Sequence, residues 1–232
     1  VKPTAHKKGE NERTCEVCGY TQTKTVSPTG VSGTTDSGKK PATGTDDRLP
    51  FDDVRRGDWF YDAVAYVYDK GMMEGTTDTT FAPAMNLTRS MIAQVLYNLE
   101  ERPEAPGAAG FPDVAAGAWY ADAVNWAAAR GIVKGYDTGA FGPEDSVTRE
   151  QLAAILYRYA QAKGYDTTQG GMAVREFNDY DSISGWAGQS MTWAVNAGIL
   201  SGRGNNTLAP TAGATRAEMA VMLQQFVKLM EK

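Results

Sequence analysis

The sequence predicts an all-α fold made of three tandem helical hairpins, preceded by a flexible linker. Two observations carry this. From Phe51 onward the chain repeats itself, and within each copy the apolar residues fall at helical spacing. Phe51, Asp53, Val54 and Trp59 return 60 residues later as Phe111, Asp113, Val114 and Trp119. Gly71, Gly75, Phe81, Pro83, Thr88 and Arg89 return at the same offset as Gly131, Gly135, Phe141, Pro143, Thr148 and Arg149. A third copy runs Phe177, Asp179, Trp186, Gly198, Gly202, Leu208, Pro210, Thr215 and Arg216. Its offset from the second copy is 66 at Phe177 and 67 from Trp186, so one residue is inserted before that tryptophan.

Each copy reads in the same order. A first helix follows the tryptophan, as over 120–130, where Ala123, Val124, Trp126, Ala127 and Ala128 mark a packed face. Gly71, Gly131 and Gly198 stand where a left-handed glycine closes such a helix. A loop of about sixteen residues follows, carrying a second glycine, then Phe81, Phe141 or Leu208, then a proline. The second helix opens at Thr88-Arg89, Thr148-Arg149 and Thr215-Arg216. Thr148 and Thr215 suit N-caps, with Gln151 and Glu218 three residues on as capping-box partners; Met91 deprives the first copy of its box. The apolar faces are Ile92, Val95, Leu96 and Leu99; Leu152, Ile155, Leu156 and Tyr159; Met219, Met222, Leu223, Phe226 and Met230. A lone hairpin cannot bury such a face, so the copies are expected to pack on one another, joined by connectors 101–110 and 161–176.

A chain of 232 residues with 42% hydrophobic and 22% charged residues is ordinary for a globular protein, and no apolar run reaches membrane-helix length. The net charge of −5 is unevenly spread, with the body after residue 50 more acidic than the N-terminal part. That body has no basic stripe, which argues against nucleic acid as a partner. No secretory leader is visible at Val1, and the sequence reads as starting inside a longer precursor with a cargo domain ahead of it. Both cysteines lie in Cys15-Glu16-Val17-Cys18-Gly19, so no disulfide framework supports the body. With His6 the sole histidine, there are too few ligands for a structural zinc site; a local disulfide or two free thiols is the plainer reading. No metal or cofactor is expected. Thr, Ser, Gly and Pro dominate 21–50, which reads as flexible linker.

One feature does not serve helix stability. An arginine stands three times in the first turn of a helix, where the macrodipole already places partial positive charge.

Three copies of Phe-x-Asp, a Trp eight or nine residues on, Gly-x-x-x-Gly, Phe/Leu-x-Pro and Thr-Arg resemble the surface-layer homology (SLH) family, over residues 51–232. The segment 15–26 also has a short likeness to the cysteine-containing tail of small modules in bacterial surface proteins. The resulting division is a module fragment at 1–27, linker at 28–50, and repeats at 51–110, 111–176 and 177–232. The resemblance implies one domain of pseudo-threefold symmetry with grooves between its lobes. It implies an extracellular, cell-wall location and non-covalent anchoring through a secondary cell-wall polysaccharide that often carries pyruvate ketals, and hence carboxylates. No membrane insertion is implied, while lattice contacts with other surface proteins are.

The residues suit that ligand, with alternatives left open. Arg89, Arg149 and Arg216 offer a planar fork for a carboxylate, and free amides at a helix N-terminus would complete an anion site. The alternative is an ion pair to Asp53, Asp113 or Asp179, or to a neighbouring repeat. Trp59, Trp119 and Trp186 are candidates to stack on a sugar ring, or else wedge the first helix on the core. Gly75, Gly135 and Gly202 either admit a ligand to the backbone or serve a turn. The three aspartates either accept from sugar hydroxyls or cap the first helix; capping alone tolerates Ser or Thr as well. The phenylalanines belong to the core. Only Thr215-Arg216-Ala217-Glu218 fits the family's Thr-Arg-Ala-Glu fully, so three working grooves are not assumed. A protein–protein assembly module is the alternative function. An enzyme is not expected, because the noticeable acids come in threes and no nucleophile–base set is present.

Overall fold

The computed structural model describes residues 9–14, 21–26 and 49–231. Near the N-terminus, strands β1 (Gly9–Thr14) and β2 (Thr21–Val26) pair antiparallel, with Gly9 opposite Val26 and Thr14 opposite Thr21. Composition alone groups residues 21–26 with the linker. Their alternating threonines followed by valine are β-branched and favour a strand, a preference that a count of residue types hides. His6, Cys15, Cys18 and linker residues 28–48 lie outside the described residues.

From buried Leu49 onward the chain is helical. The first helices are α1 (Tyr61–Asp69), α3 (Ala121–Ala129) and α5 (Gly188–Asn196). The second are α2 (Arg89–Leu99), α4 (Arg149–Ala162) and α6 (Arg216–Met230). Gly71, Gly131 and Gly198 close the first helices at φ of 65°, 68° and 72°, in the left-handed region. Thr88, Thr148 and Thr215 each accept an amide three residues ahead, and the reciprocal capping box is present at Thr148 and Thr215. The inserted residue of the third copy is taken up by short 3-10 turns at Tyr180–Ser182 and Gly185–Ala187. Glu150 holds that segment to the second repeat, accepting from the Ser184 amide at 3.0 Å and its hydroxyl at 2.8 Å.

The hairpins close into a ring. The second helix of each repeat packs on the first helix of the next: α2 on α3, α4 on α5, and α6 back on α1. At the axis three buried residues form a closed triangle of main-chain hydrogen bonds. Leu87 donates to Ala214 at 2.9 Å, Ala214 to Val147 at 2.8 Å, and Val147 to Leu87 at 2.9 Å. Around them the second helices sit end-on against the following repeat. Arg89 and Ser90 amides donate to Asp145 and Pro143 carbonyls, those of Arg149 and Glu150 to Ala212 and Pro210, and those of Arg216 and Ala217 to Met85 and Pro83. The orphan amides of a helix start are thus spent on the neighbour's loop.

Arg216 closes the ring from third repeat to first, donating from Nε to Phe81 O at 2.8 Å and from Nη2 to Glu74 O at 2.6 Å. Arg216→Met keeps most of the apolar bulk but strands those carbonyls. It should lower unfolding free energy by about 3 kcal/mol, measured by urea denaturation, with a single transition retained. A loss under about 0.5 kcal/mol would show that the closing arginine bears no weight.

Candidate functional site

The three motif arginines are buried, and each leaves its own repeat. Arg89 donates from Nε to Phe141 O at 2.7 Å and from Nη2 to Lys134 O at 2.6 Å. Arg149 does the same to Leu208 O and Ser201 O, each at 2.7 Å, and Arg216 to Phe81 O and Glu74 O. The carbonyls belong to the loop between the two helices of the next repeat. The alternative of an ion pair is met by Arg149, whose Nη1 lies 2.7 Å from Glu218 of the neighbouring repeat, while a pair to Asp53, Asp113 or Asp179 is not among the described bonds of Arg89 and Arg149. Nor do the N-terminal amides beside them stand open for an anion, since the next repeat's carbonyls take them. An arginine reaching across a junction explains why a cation stands at a helix start: its charge is directed at carbonyls elsewhere.

The aspartates have a backbone partner that neither expectation named. Asp53 accepts from the Phe81 and Ala82 amides, each at 2.8 Å. Asp113 accepts from Phe141 and Gly142, and Asp179 from Leu208 and Ala209. Ala82, Gly142 and Ala209 all have positive φ, at 57°, 70° and 49°. The carboxylate therefore pins a left-handed turn that costs an alanine roughly 1 kcal/mol. The Phe141 amide, with that of Gly142, holds the Asp113 carboxyl below the usual carboxylate range against the opposing effect of burial. None of the first helices has a side-chain cap.

Gly75, Gly135 and Gly202 are explained within their own repeats. A Cβ there would lie 2.5, 2.7 and 2.5 Å from Cε1 of Phe51, Phe111 and Phe177 respectively. Phe51 is buried and Phe111 and Phe177 are partly so, while Phe81, Phe141 and Leu208 are fully enclosed. Glycine at these positions admits the phenylalanine ring.

The tryptophans do not wedge the first helices on the core. Trp59, Trp119 and Trp186 are 67%, 36% and 60% exposed. Trp59 and Trp119 rest edge-on against the following Phe60 and Tyr120. They present apolar faces at the surface.

One groove gathers several of these groups. About 420 Å³ in volume, it is lined by Trp59 of the first repeat, Arg149 of the second, and Ser201, Gly202, Arg203, Glu218 and Met222 of the third. Its charges form a connected set. Glu218 pairs with Arg149 Nη1 at 2.7 Å, and with Arg203 Nε at 2.7 Å and Nη2 at 2.8 Å. The same carboxylate completes the capping box through the Thr215 amide. Burial pushes Glu218 up, but the Arg203 hydrogen bonds, the Thr215 amide and the Arg149 charge outweigh it and hold the carboxyl low. Burial also pulls Arg149 down from its ordinary value, opposed chiefly by Glu218. In the sequence Glu218 stands as a capping-box partner and as the end of Thr-Arg-Ala-Glu, while Arg203 falls in no motif. The available signal was a cation directly after the loop glycine, where the other copies have Thr76 and Tyr136.

Among the described residues no group of three or more His, Cys, Asp or Glu is gathered to hold a metal, and no helix is long and apolar enough to cross a membrane. The S-layer homology domain model matches residues 50–90, 110–153 and 176–220, together more than half of the chain. The chain belongs to the S-layer homology family. Domains of this family are surface-anchoring modules. The SLH repeats are similar to part of an amylopullulanase of Thermoanaerobacterium thermosulfurigenes, 34% identical over 75% of this chain and 9% of that protein. They also match the surface-layer 125 kDa protein of Lysinibacillus sphaericus at 31% identity, over 72% of this chain and 14% of that one. The S-layer protein sap of Bacillus anthracis is 28% identical over 78% of this chain and 21% of its own length. The chain thus spans under a quarter of these relatives, and where the relative is an enzyme the shared part is the SLH domain.

The depressed Glu218 carboxyl sets an acid dependence. Its ionised form stabilises the fold fully above the ordinary glutamate value near pH 4.3, and that contribution is lost as pH falls through the lower folded value. Urea midpoints measured from pH 7 down to pH 3 should therefore fall less steeply for Glu218→Gln than for the parent chain, although the variant starts less stable at pH 7. Parallel curves would remove Glu218 from the acid response.

Proposed function

We propose that this chain is the wall-anchoring module of an extracellular bacterial surface protein, binding a secondary cell-wall polysaccharide in the groove beside Arg149 and Trp59. The observation that carries this reading is the pairing, in one recess, of an exposed indole with a charged set of two arginines and one glutamate. An indole offers a sugar ring a flat apolar face and an N–H donor. Arginine forks favour a planar carboxylate, the group a pyruvate ketal adds to a sugar. The relatives support the setting, since they include surface-layer proteins as well as an amylopullulanase in which the shared part is the SLH domain. The module acts by holding on.

The full chain should co-sediment with purified sacculi, and hydrofluoric acid stripping of the polymer from those sacculi should abolish it. Retention on stripped sacculi would exclude the polymer as ligand. Trp59→Ala removes an exposed ring. It should leave the melting temperature within a degree or two while weakening sacculus binding roughly tenfold; unaltered binding would take the indole out of the site.

A further inference from the structure

The three junctions are not chemically equivalent, and the difference is concentrated at two positions. The residue after the loop glycine is Thr76, Tyr136 and Arg203 in the three repeats. The residue three beyond the capping threonine is Met91, Gln151 and Glu218. The third repeat alone supplies a cation at the first and a carboxylate at the second, and both line the groove that it forms with Arg149. At the junction of first and second repeats, the Arg89 guanidinium lies 4.7 Å from both the Tyr136 and Phe141 ring centres. Lys134 there offers Arg89 its carbonyl, while its own side chain is exposed to solvent. At the junction of third and first repeats, Arg216 is 1% exposed, over the Phe81 ring.

We infer that the groove between the second and third repeats is the anion-selective one, and that Arg203 is the residue that contacts the ligand's carboxylate, with Glu218 as the positioning residue that holds Arg203. This rests on the glycan-binding reading above and deepens it. Two arginines against one glutamate leave the recess with one net positive charge, matched to a single carboxylate. Arg149 is the less available of the two: its side chain is 4% exposed, with Nε, Nη1 and Nη2 on Leu208 O, Glu218 and Ser201 O. Arg203 is partly exposed, and its described bonds to Glu218 and to Gly213 O use Nε and Nη2. A guanidinium has five N–H donors in a rigid plane; Glu218 takes the Nε N–H and one Nη2 N–H and Gly213 O takes the other Nη2 N–H, so an arginine held in this way presents its Nη1 group ready-oriented. Fixing it beforehand lowers the ordering cost of binding.

The test titrates the full chain with a methyl glycoside bearing a 4,6-pyruvate ketal and with the methyl ester of the same compound, which keeps the shape and removes the charge. Calorimetry gives the affinity, and Trp59 in the groove supplies a fluorescence signal. The parent chain should bind the acid at least tenfold more tightly than the ester. Arg203→Gln should lose that preference with ester binding unchanged, and Arg203→Lys, which keeps the charge without the planar donors that Glu218 holds in place, should fall between. Glu218→Gln should weaken acid binding without abolishing it. Tyr136→Ala and Lys134→Ala should match the parent. Melting curves accompany each variant, and the Arg203→Lys result stands if Arg203→Gln fails to fold. If the parent chain sediments with sacculi but Arg203→Gln and Arg203→Lys bind the acid as the parent does, the inference is wrong and anchoring stands. The inference fails equally if Lys134→Ala or Tyr136→Ala abolishes acid binding, or if the parent binds sacculi but not the acid. If the parent chain does not sediment with native sacculi, the anchoring proposal itself fails.

Discussion

The fold depends on backbone carbonyls of one repeat being satisfied by an arginine and a helix N-terminus of the one before it. Each inter-helix loop turns buried and partly buried carbonyls toward the preceding repeat, and a buried carbonyl without a donor costs on the order of 1–3 kcal/mol. The preceding repeat meets that demand with two guanidinium N–H groups and two main-chain amides. Because these bonds are directional, they set the angle between successive hairpins more sharply than apolar packing does. Three such steps return the chain to its start, and the Leu87, Val147 and Ala214 triangle fits at the axis.

Local features of this architecture were legible in the sequence. Helix starts at Thr88, Thr148 and Thr215, the left-handed stops at Gly71, Gly131 and Gly198, and the buried helix faces all depend on residues within one or two turns. Features that depend on distant partners were not. Arg89 finds its acceptors 45 and 52 positions away, and Arg216 finds its own at 142 and 135. Nothing in the local pattern tells an arginine that binds carbonyls from one that binds a ligand. The aspartates and second glycines lie between these cases. Their partners stand at a constant spacing inside the same repeat, but reading it requires knowing that the loop folds back over Phe51, Phe111 and Phe177.

The site was half visible for a related reason. Searching for what recurs three times finds the scaffold, because symmetry is what the scaffold requires. Arg203 breaks the repeat, so a search by recurrence discards it. Trp59, which does recur, enters the groove only because α6 packs against α1 and brings the first repeat beside the third. In a symmetric frame, individual chemistry has to be sought among the departures.

Ring closure also fixes how many hairpins one ring holds. In an open solenoid each repeat touches only its neighbours and the array can grow by one unit at either end. Here the last repeat spends its arginine and helix start on the first, so no junction is left over for a fourth. Duplication of one hairpin would add a unit with no vacant seat, and gain of further units has to proceed by whole rings. The same closure makes assembly of the ring wait for its third repeat. Residues 74 and 81 wait for Arg216 of the third repeat, so the first two hairpins emerge with an unfilled seam. Copy number and timing are both consequences of a circle that has to be completed by its final member.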